Sequence, residues 1–110
     1  MDSFEVYGFK EDYDLFLFKN IFDNKNIREV HIDTYMNDPY ILFSRMVEKN
    51  IASLMQDNRL ILQRNNGGRL SIMDVPINNI FECMVKMYSS TQYQLVFAVE
   101  NIWYKILVLI

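Results

Sequence analysis

The chain has 110 residues, of which 51% are hydrophobic and 15% aromatic, and its formal net charge is −3. An intrinsically disordered chain needs low hydrophobicity and high net charge, so this composition excludes that class. Two independent cores would each be too small to be stable, and we therefore expect a single domain over residues 1–110.

The compartment is predicted from the cysteine count and from the start of the chain. Cys83 is the single cysteine, so an internal disulfide is excluded. The first residues are acidic and lack the basic-then-apolar order of a signal peptide. We therefore expect a cytoplasmic protein.

The N-terminal part of the sequence predicts a short strand followed by a helix. Residues 3–9 alternate between apolar and polar side chains, as in a strand. Asp12 or Asp14 offers an N-cap for the helix, and the residues from Asn24 to Asn26 offer its end. The apolar residues on the inner side of this helix are Leu15, Phe18, Ile21 and Phe22.

Residues 26–36 alternate cleanly and predict a half-buried strand. One face of this strand carries Val30, Ile32 and Thr34, and the other carries Glu29, His31 and Asp33.

Residues 38–58 predict a second, amphipathic helix. Asp38 is a good N-cap, and Pro39 at the first helical position loses no useful donor. The apolar residues that fall on one stripe at helical spacing are Phe43, Met46, Val47, Ile51, Leu54 and Met55.

Residues 59–75 predict a hairpin, because both Asn66-Gly67 and Gly67-Gly68 favour a tight turn. A turn on Asn66-Gly67 would place Arg64 opposite Arg69, a destabilising pair of like charges. We prefer the turn on Gly67-Gly68, which pairs Leu60 with Val75, Leu62 with Met73 and Arg64 with Ser71.

Residues 76–90 predict a third helix, with Pro76 near its start. Its inward residues would be Ile77, Ile80, Phe81, Met84 and Tyr88.

The last 17 residues are the most apolar stretch, but Glu100, Asn101 and Lys105 interrupt them, which excludes a membrane-spanning helix. Their content of Val, Ile, Phe, Tyr and Trp predicts two strands joined by a turn at Glu100-Asn101. This turn pairs Phe97 with Tyr104, Leu95 with Ile106 and Ala98 with Trp103. The continuous apolar run from Ile106 to Ile110 is typical of a strand covered on both faces, so we expect the central strand of the sheet, or else an interface.

Together these elements predict a single α+β domain in the order β-α-β-α-ββ-α-ββ. Its mostly antiparallel sheet would pack against two or three helices.

The sequence offers few residues for catalysis. The trio Glu29, His31 and Asp33 shares a strand face, and Asp33 would orient the imidazole if the chain were a small enzyme. A solvated strand face is the stronger reading, because the trio supplies no nucleophile. We expect Cys83 to be a buried core residue, because Glu82 beside it disfavours a reactive thiolate. The sequence predicts no enzyme, no metal and no cofactor.

The three arginines that flank the "NNGG" segment would serve either as an anion site or as solubilising charges at a hairpin tip. They are Arg59, Arg64 and Arg69. The segment has no phosphate-binding spacing, so we favour the second reading. A scattered set of bases and a pI near 5.0 disfavour nucleic-acid binding.

Charge is unevenly distributed along the sequence. Residues 1–40 carry nine acidic and four basic residues, whereas residues 41–110 carry five acidic and seven basic residues. An acidic lobe of this kind attracts basic proteins and repels nucleic acid. The residues that we expect to contact a partner are Glu11, Asp12, Tyr13, Asp14 and Asp23.

A short, acidic, single-domain chain without a catalytic set resembles bacterial immunity proteins and phage-encoded inhibitors in size and charge alone. We therefore expect a non-enzymatic protein that docks on a basic partner, such as a toxin. The alternative is a self-assembling subunit, such as a homodimer, that uses the C-terminal strand or the helix face from Phe43 to Met55. A third reading is the small enzyme built on Glu29, His31 and Asp33.

Overall fold

The computed structural model describes residues 12–23, 25–36, 41–65 and 71–110, and it describes the side chains of the first range from Phe16 onward. The elements are α1 (Asp12–Phe22), β1 (Asn26–Met36), β2 (Leu42–Gln56), β3 (Arg59–Arg64), β4 (Ser71–Pro76), β5 (Ile80–Ser89), β6 (Gln92–Val99) and β7 (Ile102–Leu109). A short 3-10 turn, Ile77–Asn79, joins β4 to β5. The strand predicted over residues 3–9 lies outside the described residues.

The seven described strands form one antiparallel sheet in the order β4-β3-β2-β1-β7-β6-β5. This sheet corrects the prediction of an α+β domain with two or three helices, because α1 is the one α-helix among the described residues. Residues 38–58 and 76–90 were the two wrong helix predictions. The first segment contains β2, and the second contains the 3-10 turn and β5.

A backbone kink in β2 explains the first error. Asn50 has φ 55°, in the left-handed region that a regular strand does not use. Glu48, opposite the buried Val30, and the buried Ile51 lie on the same side of the sheet although they are three residues apart. The kink moves the inward positions of the strand from even to odd numbers, so its apolar residues do not alternate along the whole segment and their spacing was taken for that of a helix.

Strand β5 contains a similar irregularity, a residue with positive φ at a β-bulge. Glu82 has φ 54°, and the strand register shifts between Phe81 and Met84. Ile80 and Cys83 are both buried although they are three residues apart. The bulge therefore returns Cys83 to the buried side of the sheet, where strict alternation from Ile80 would have placed it on the outer side.

The predicted C-terminal hairpin is confirmed, and β7 lies in the sheet between β1 and β6. The partners of β6 and β7 are those predicted: Phe97 with Tyr104, Leu95 with Ile106 and Ala98 with Trp103. Ile106 and Val108 are fully buried on the inner face. Leu107 and Leu109 are only half-buried, so the expectation that both faces of this strand are covered is wrong for the outer face.

The hairpin of β3 and β4 is confirmed for two of its three predicted pairs. Leu60 faces Val75 and Leu62 faces Met73. The register shifts after Leu62, so Ser71 faces Gln63 and the predicted pair with Arg64 is wrong. The turn itself lies outside the described residues.

The sheet must curl, because the two strands at its edges are joined by only three residues. Four residue steps separate Pro76 at the end of β4 from Ile80 at the start of β5, and they span at most about 14 Å. A flat sheet of seven strands would hold its edges roughly 28 Å apart, at about 4.8 Å per strand. The edges therefore approach each other at this end, and the sheet wraps around α1.

Helix α1 fills the inner face of the curled sheet. Phe18, Ile21 and Phe22 are buried, as predicted, and the ring of Phe18 meets that of Phe97 edge-on at 6.3 Å. The buried Ser53 hydroxyl donates a hydrogen bond to the Phe22 carbonyl at 2.8 Å. This bond fixes the C-terminal end of α1 to β2.

Candidate binding surfaces

The sheet face opposite α1, which we call the open face, is formed by the outward residues of β2, β1, β7, β6 and β5. Strand register places its residues in rows across the sheet. One row consists of Arg45, Asp33, Lys105, Val96 and Met84. The next consists of Val47, His31, Leu107, Gln94 and Lys86.

Aromatic side chains form a third row at one end of the open face. Tyr35 lies opposite Trp103, which lies opposite Ala98 and then Phe81. The rings of Phe81 and Trp103 are 6.4 Å apart, and Phe81 is 45% exposed. The open face therefore combines charged and large apolar side chains, a composition common on interaction surfaces.

Ion pairs engage both carboxylates of this face. Asp33 accepts hydrogen bonds from Arg45 Nε at 3.0 Å and Arg45 Nη2 at 3.3 Å, which raises the pKa of the Arg45 guanidinium. Glu29 lies 2.5 Å from His31 Nε2 and 3.9 Å from Lys49 Nζ. The hydrogen bond from His31 lowers the pKa of the Glu29 carboxyl below its ordinary value.

This geometry bears on the predicted trio of Glu29, His31 and Asp33. The three residues share a strand face, as predicted. The imidazole is held by Glu29, however, whereas Asp33 is occupied by Arg45. Within the described residues, no three His, Cys, Asp or Glu side chains are grouped so that they could hold a metal ion. The small-enzyme hypothesis stays a prediction.

Lys105 lies between two hollows of the open face. The first has a volume of about 440 Å³ and is lined by His31, Asp33, Arg45, Gln94 and Leu107 as well as Lys105. The second has a volume of about 290 Å³ and is lined by Tyr35, Gln94, Val96, Trp103 and Tyr104 as well as Lys105. Charged and polar residues predominate among those lining the first hollow, and aromatic residues are half of those lining the second, so Lys105 offers a cation next to both.

The residues predicted to contact a partner lie at the two ends of α1. Asp12, Tyr13 and Asp14 form its first turn, although their side chains lie outside the description. Asp23 follows the last residue of the helix and is exposed. Glu11 lies outside the described residues.

Phe16 is the residue on α1 that sequence reasoning missed. Its side chain is 64% exposed, the highest exposure among the large hydrophobic side chains described. Phe16 borders a shallow hollow of about 230 Å³ that is also lined by Lys19, Asn20, Asp23 and Lys25. The signal was present in the sequence, because Phe16 falls outside the predicted inner stripe of this helix.

Two of the three hairpin arginines are engaged by carboxylates. Arg64 donates two hydrogen bonds to Glu48, at 2.9 and 2.8 Å, which lowers the pKa of the Glu48 carboxyl. Arg59 Nε lies 2.6 Å from Asp74. Arg69 lies outside the described residues. Arg59 and Arg64 are thus paired with carboxylates of the sheet, which disfavours an anion site at these two residues.

A further hollow of about 380 Å³ opens on the inner side, between β4 and the strands β1, β2 and β7. Met46, Ile72 and Tyr104 contribute to its wall. Burial raises the pKa of the Tyr104 phenol above its ordinary value.

Cys83 is fully buried in the core, as predicted.

Comparisons with known proteins identify no relative of this chain. No protein-family model, no curated protein and no solved structure matches it. None of the helices in the described part of the chain is long and apolar enough to cross a membrane. The cytoplasmic location stays a prediction.

Proposed function

We propose that this chain is a non-enzymatic binding protein that docks on a basic protein partner through the exposed side of α1. The observation that carries this proposal is the position of Phe16, a 64% exposed aromatic side chain on a helix that has acidic residues at both ends. An immunity or inhibitor protein that neutralises a basic toxin would act in this way.

Helical spacing aligns the residues that would make the contact. Positions 12, 16, 19 and 23 are four, three and four residues apart, so they share one stripe, which we call the α1 stripe: Asp12, Phe16, Lys19 and Asp23. Position 14 instead falls on the stripe of the buried Phe18 and Ile21. Among the predicted contact residues on α1, the spacing therefore favours Asp12 over Asp14.

Charge and an aromatic anchor have different roles in such an interface. Residues 1–23 carry six acidic and two basic residues, and this charge would speed the encounter with a basic partner. Affinity in protein interfaces resides mainly in a few well-packed side chains, often aromatic. Phe16 takes this role in the proposal, because the side chain of Tyr13 is not described. Lys19 reduces the negative charge of the α1 stripe, and its partner in such an interface would be an acidic group.

The test is affinity capture from the native host with three matched forms of the full chain. The wild type is compared with Phe16→Ala and with the control Phe43→Ala, which truncates a phenylalanine of similar exposure, 60%, on β2. We expect a basic protein that is captured by the wild type and the control but lost with Phe16→Ala. Capture that is the same for all three forms would contradict the proposal.

Association kinetics with the captured protein then test the charge. The double variant Asp12→Lys and Asp23→Lys should slow association at low salt and lose this effect at high salt. The control reverses Asp57 and Glu100, two exposed acids in turns of the sheet. An equal slowing in both variants would show that net charge alone matters and would refute the assigned surface.

Self-association is the alternative. The C-terminal strand has both edges paired within the sheet, so only its outward side chains are open to a second copy, and the segment from Phe43 to Met55 lies in β2 and forms no helix face. The homodimer stays a prediction, which light scattering on the pure protein tests. A monomer mass at all concentrations would contradict it.

A further inference from the structure

We propose that the open face carries a second binding site, centred on Lys105, for an acidic polypeptide segment that bears an aromatic side chain. This site lies on the opposite side of the sheet from α1 and has the opposite charge preference. It therefore goes beyond the proposed function and does not depend on it.

The cation of this site is available for a ligand. Lys105 is exposed and lies directly opposite Asp33 in the sheet register. Asp33 already accepts two hydrogen bonds from Arg45 on its other side. Within the described residues, Lys105 makes no ion pair, so an incoming carboxylate would not have to displace an internal partner.

The apolar part of the site adjoins this cation. The hollow lined by Tyr35, Val96 and Trp103 has a volume of about 290 Å³. Whole-ligand pockets usually measure about 300–1,000 Å³, so this hollow suits a single large side chain. Tyrosine and tryptophan walls favour an aromatic ring, which they contact edge-on or with an offset.

The charge of the open face decides among the occupants. Arg45, Lys49, Lys86 and Lys105 provide four basic side chains, whereas Glu29 and Asp33 provide two acidic ones. A second copy placed face to face would bring like charges together, which is unfavourable. A long polyanion such as nucleic acid would also meet the net negative charge of the whole chain, −3. A short acidic polypeptide segment carries fewer negative charges, so it matches the local charge at a smaller penalty.

Two probes of defined composition test the site on the full-length protein. The first is a short fluorescein-labelled peptide of alternating Glu and Tyr, and the second replaces each Glu by Lys. We expect fluorescence anisotropy to show saturable binding of the Glu/Tyr peptide that weakens as salt rises. Absence of binding would overturn the proposal, and so would equal binding of the Lys/Tyr peptide or binding of a single-stranded oligonucleotide in preference to the peptide.

Variants then assign the binding to Lys105. Lys105→Glu should weaken it about tenfold, and Lys105→Gln by a smaller factor, because the neutral side chain removes attraction without adding repulsion. Lys19→Glu makes the same charge change on α1 and should leave the affinity within about twofold. Circular dichroism confirms that each variant is folded. Equal losses for Lys105→Glu and Lys19→Glu would overturn the assignment.

NMR separates this site from the α1 surface. Bound Glu/Tyr peptide should shift the amide signals of β1, β6 and β7 and leave those of α1 in place. The Phe16→Ala variant should bind the peptide as the wild type does. A shift map centred on α1, or loss of peptide binding in Phe16→Ala, would show that the peptide uses the other surface.

Discussion

Two neighbouring residues of β7 provide a matched test of the fold, because they face opposite sides of the sheet. Ile106 is fully buried and lies opposite Ile32 of β1 and Leu95 of β6. Leu107 is half-buried on the open face. Substitution of either residue by alanine removes the same number of carbon atoms, so a difference in the free energy of unfolding reports on burial.

The expected sizes follow from the burial of the two side chains. Ile106→Ala loses three carbon groups at about 0.8 kcal/mol each, and the cavity that remains raises the loss to about 3–4 kcal/mol. Leu107→Ala keeps water access on one side and should cost about 1 kcal/mol. For a urea m-value of about 1.5 kcal/mol/M, the unfolding midpoint should fall by roughly 2 M for the first variant and by less than about 1 M for the second.

Urea unfolding followed by circular dichroism measures both midpoints under identical conditions. The m-values should match that of the wild type, so that the midpoints compare stabilities directly. Equal midpoint shifts, or a larger shift for Leu107→Ala, would refute the assignment of the inner and outer faces of β7.

Three further predictions test the local features of the fold. Glu82→Gly should raise the free energy of unfolding by up to about 1 kcal/mol, because glycine favours the positive φ of the bulge. If residue 82 were in a helix, the same change would lower that free energy by about 1 kcal/mol. Thermal unfolding shows whether the stability rises or falls. Ser53→Ala should cost about 1–3 kcal/mol, because it leaves the buried Phe22 carbonyl without the hydroxyl donor, and urea unfolding against a Ser71→Ala control measures it. Glu48→Gln should lower stability at pH 7 and lower it less at pH 3: the Arg64 pair depresses the folded-state pKa of Glu48 below its ordinary value, so its stabilisation is complete above the ordinary pKa and is lost as pH falls through the depressed value. Equal losses at both pH values would contradict the last prediction.

The C-terminal hairpin could be predicted to the residue because several local signals agreed. Glu100-Asn101 supplied the turn, and Glu100 indeed has φ 56°. This turn set the register, and the resulting pair of a large residue with a small one, Trp103 with Ala98, was consistent with it. The apolar run that follows lacked polar alternation, which favoured an interior strand of the sheet over an exposed one.

The strands β2 and β5 could not be predicted because each contains a residue in the left-handed region. Asn50 and Glu82 each insert a three-residue step into an alternating pattern. A strand with one such step and a helix share much of their apolar spacing. The turn at Asp57-Asn58, where both residues have positive φ, was the available signal against a helix in the first segment.

For the candidate sites too, features that lie within one strand could be predicted, whereas contacts that depend on β2 could not. The shared face of Glu29, His31 and Asp33 was predictable from one strand alone. The partner of Asp33 was not, because Arg45 belongs to β2, which had been predicted as a helix. The hollows beside Lys105 require three strands in register for the second and four for the first, and of those pairings the sequence specified only that of β6 with β7.

The most direct test is residue-resolved hydrogen exchange of the isolated protein, because the fold and the open face both require that β7 is an interior strand of the sheet, paired along both edges. Hydrogen bonds run along both edges of β7, to β1 and to β6, whereas β5 pairs with β6 alone among the described strands. We predict that the amides of β7 exchange at rates close to that of global unfolding and that the outward amides of β5 exchange faster. Exchange of the β7 amides that is as fast as that of β5 would contradict the claim, and the open face built on β7 would fall with it.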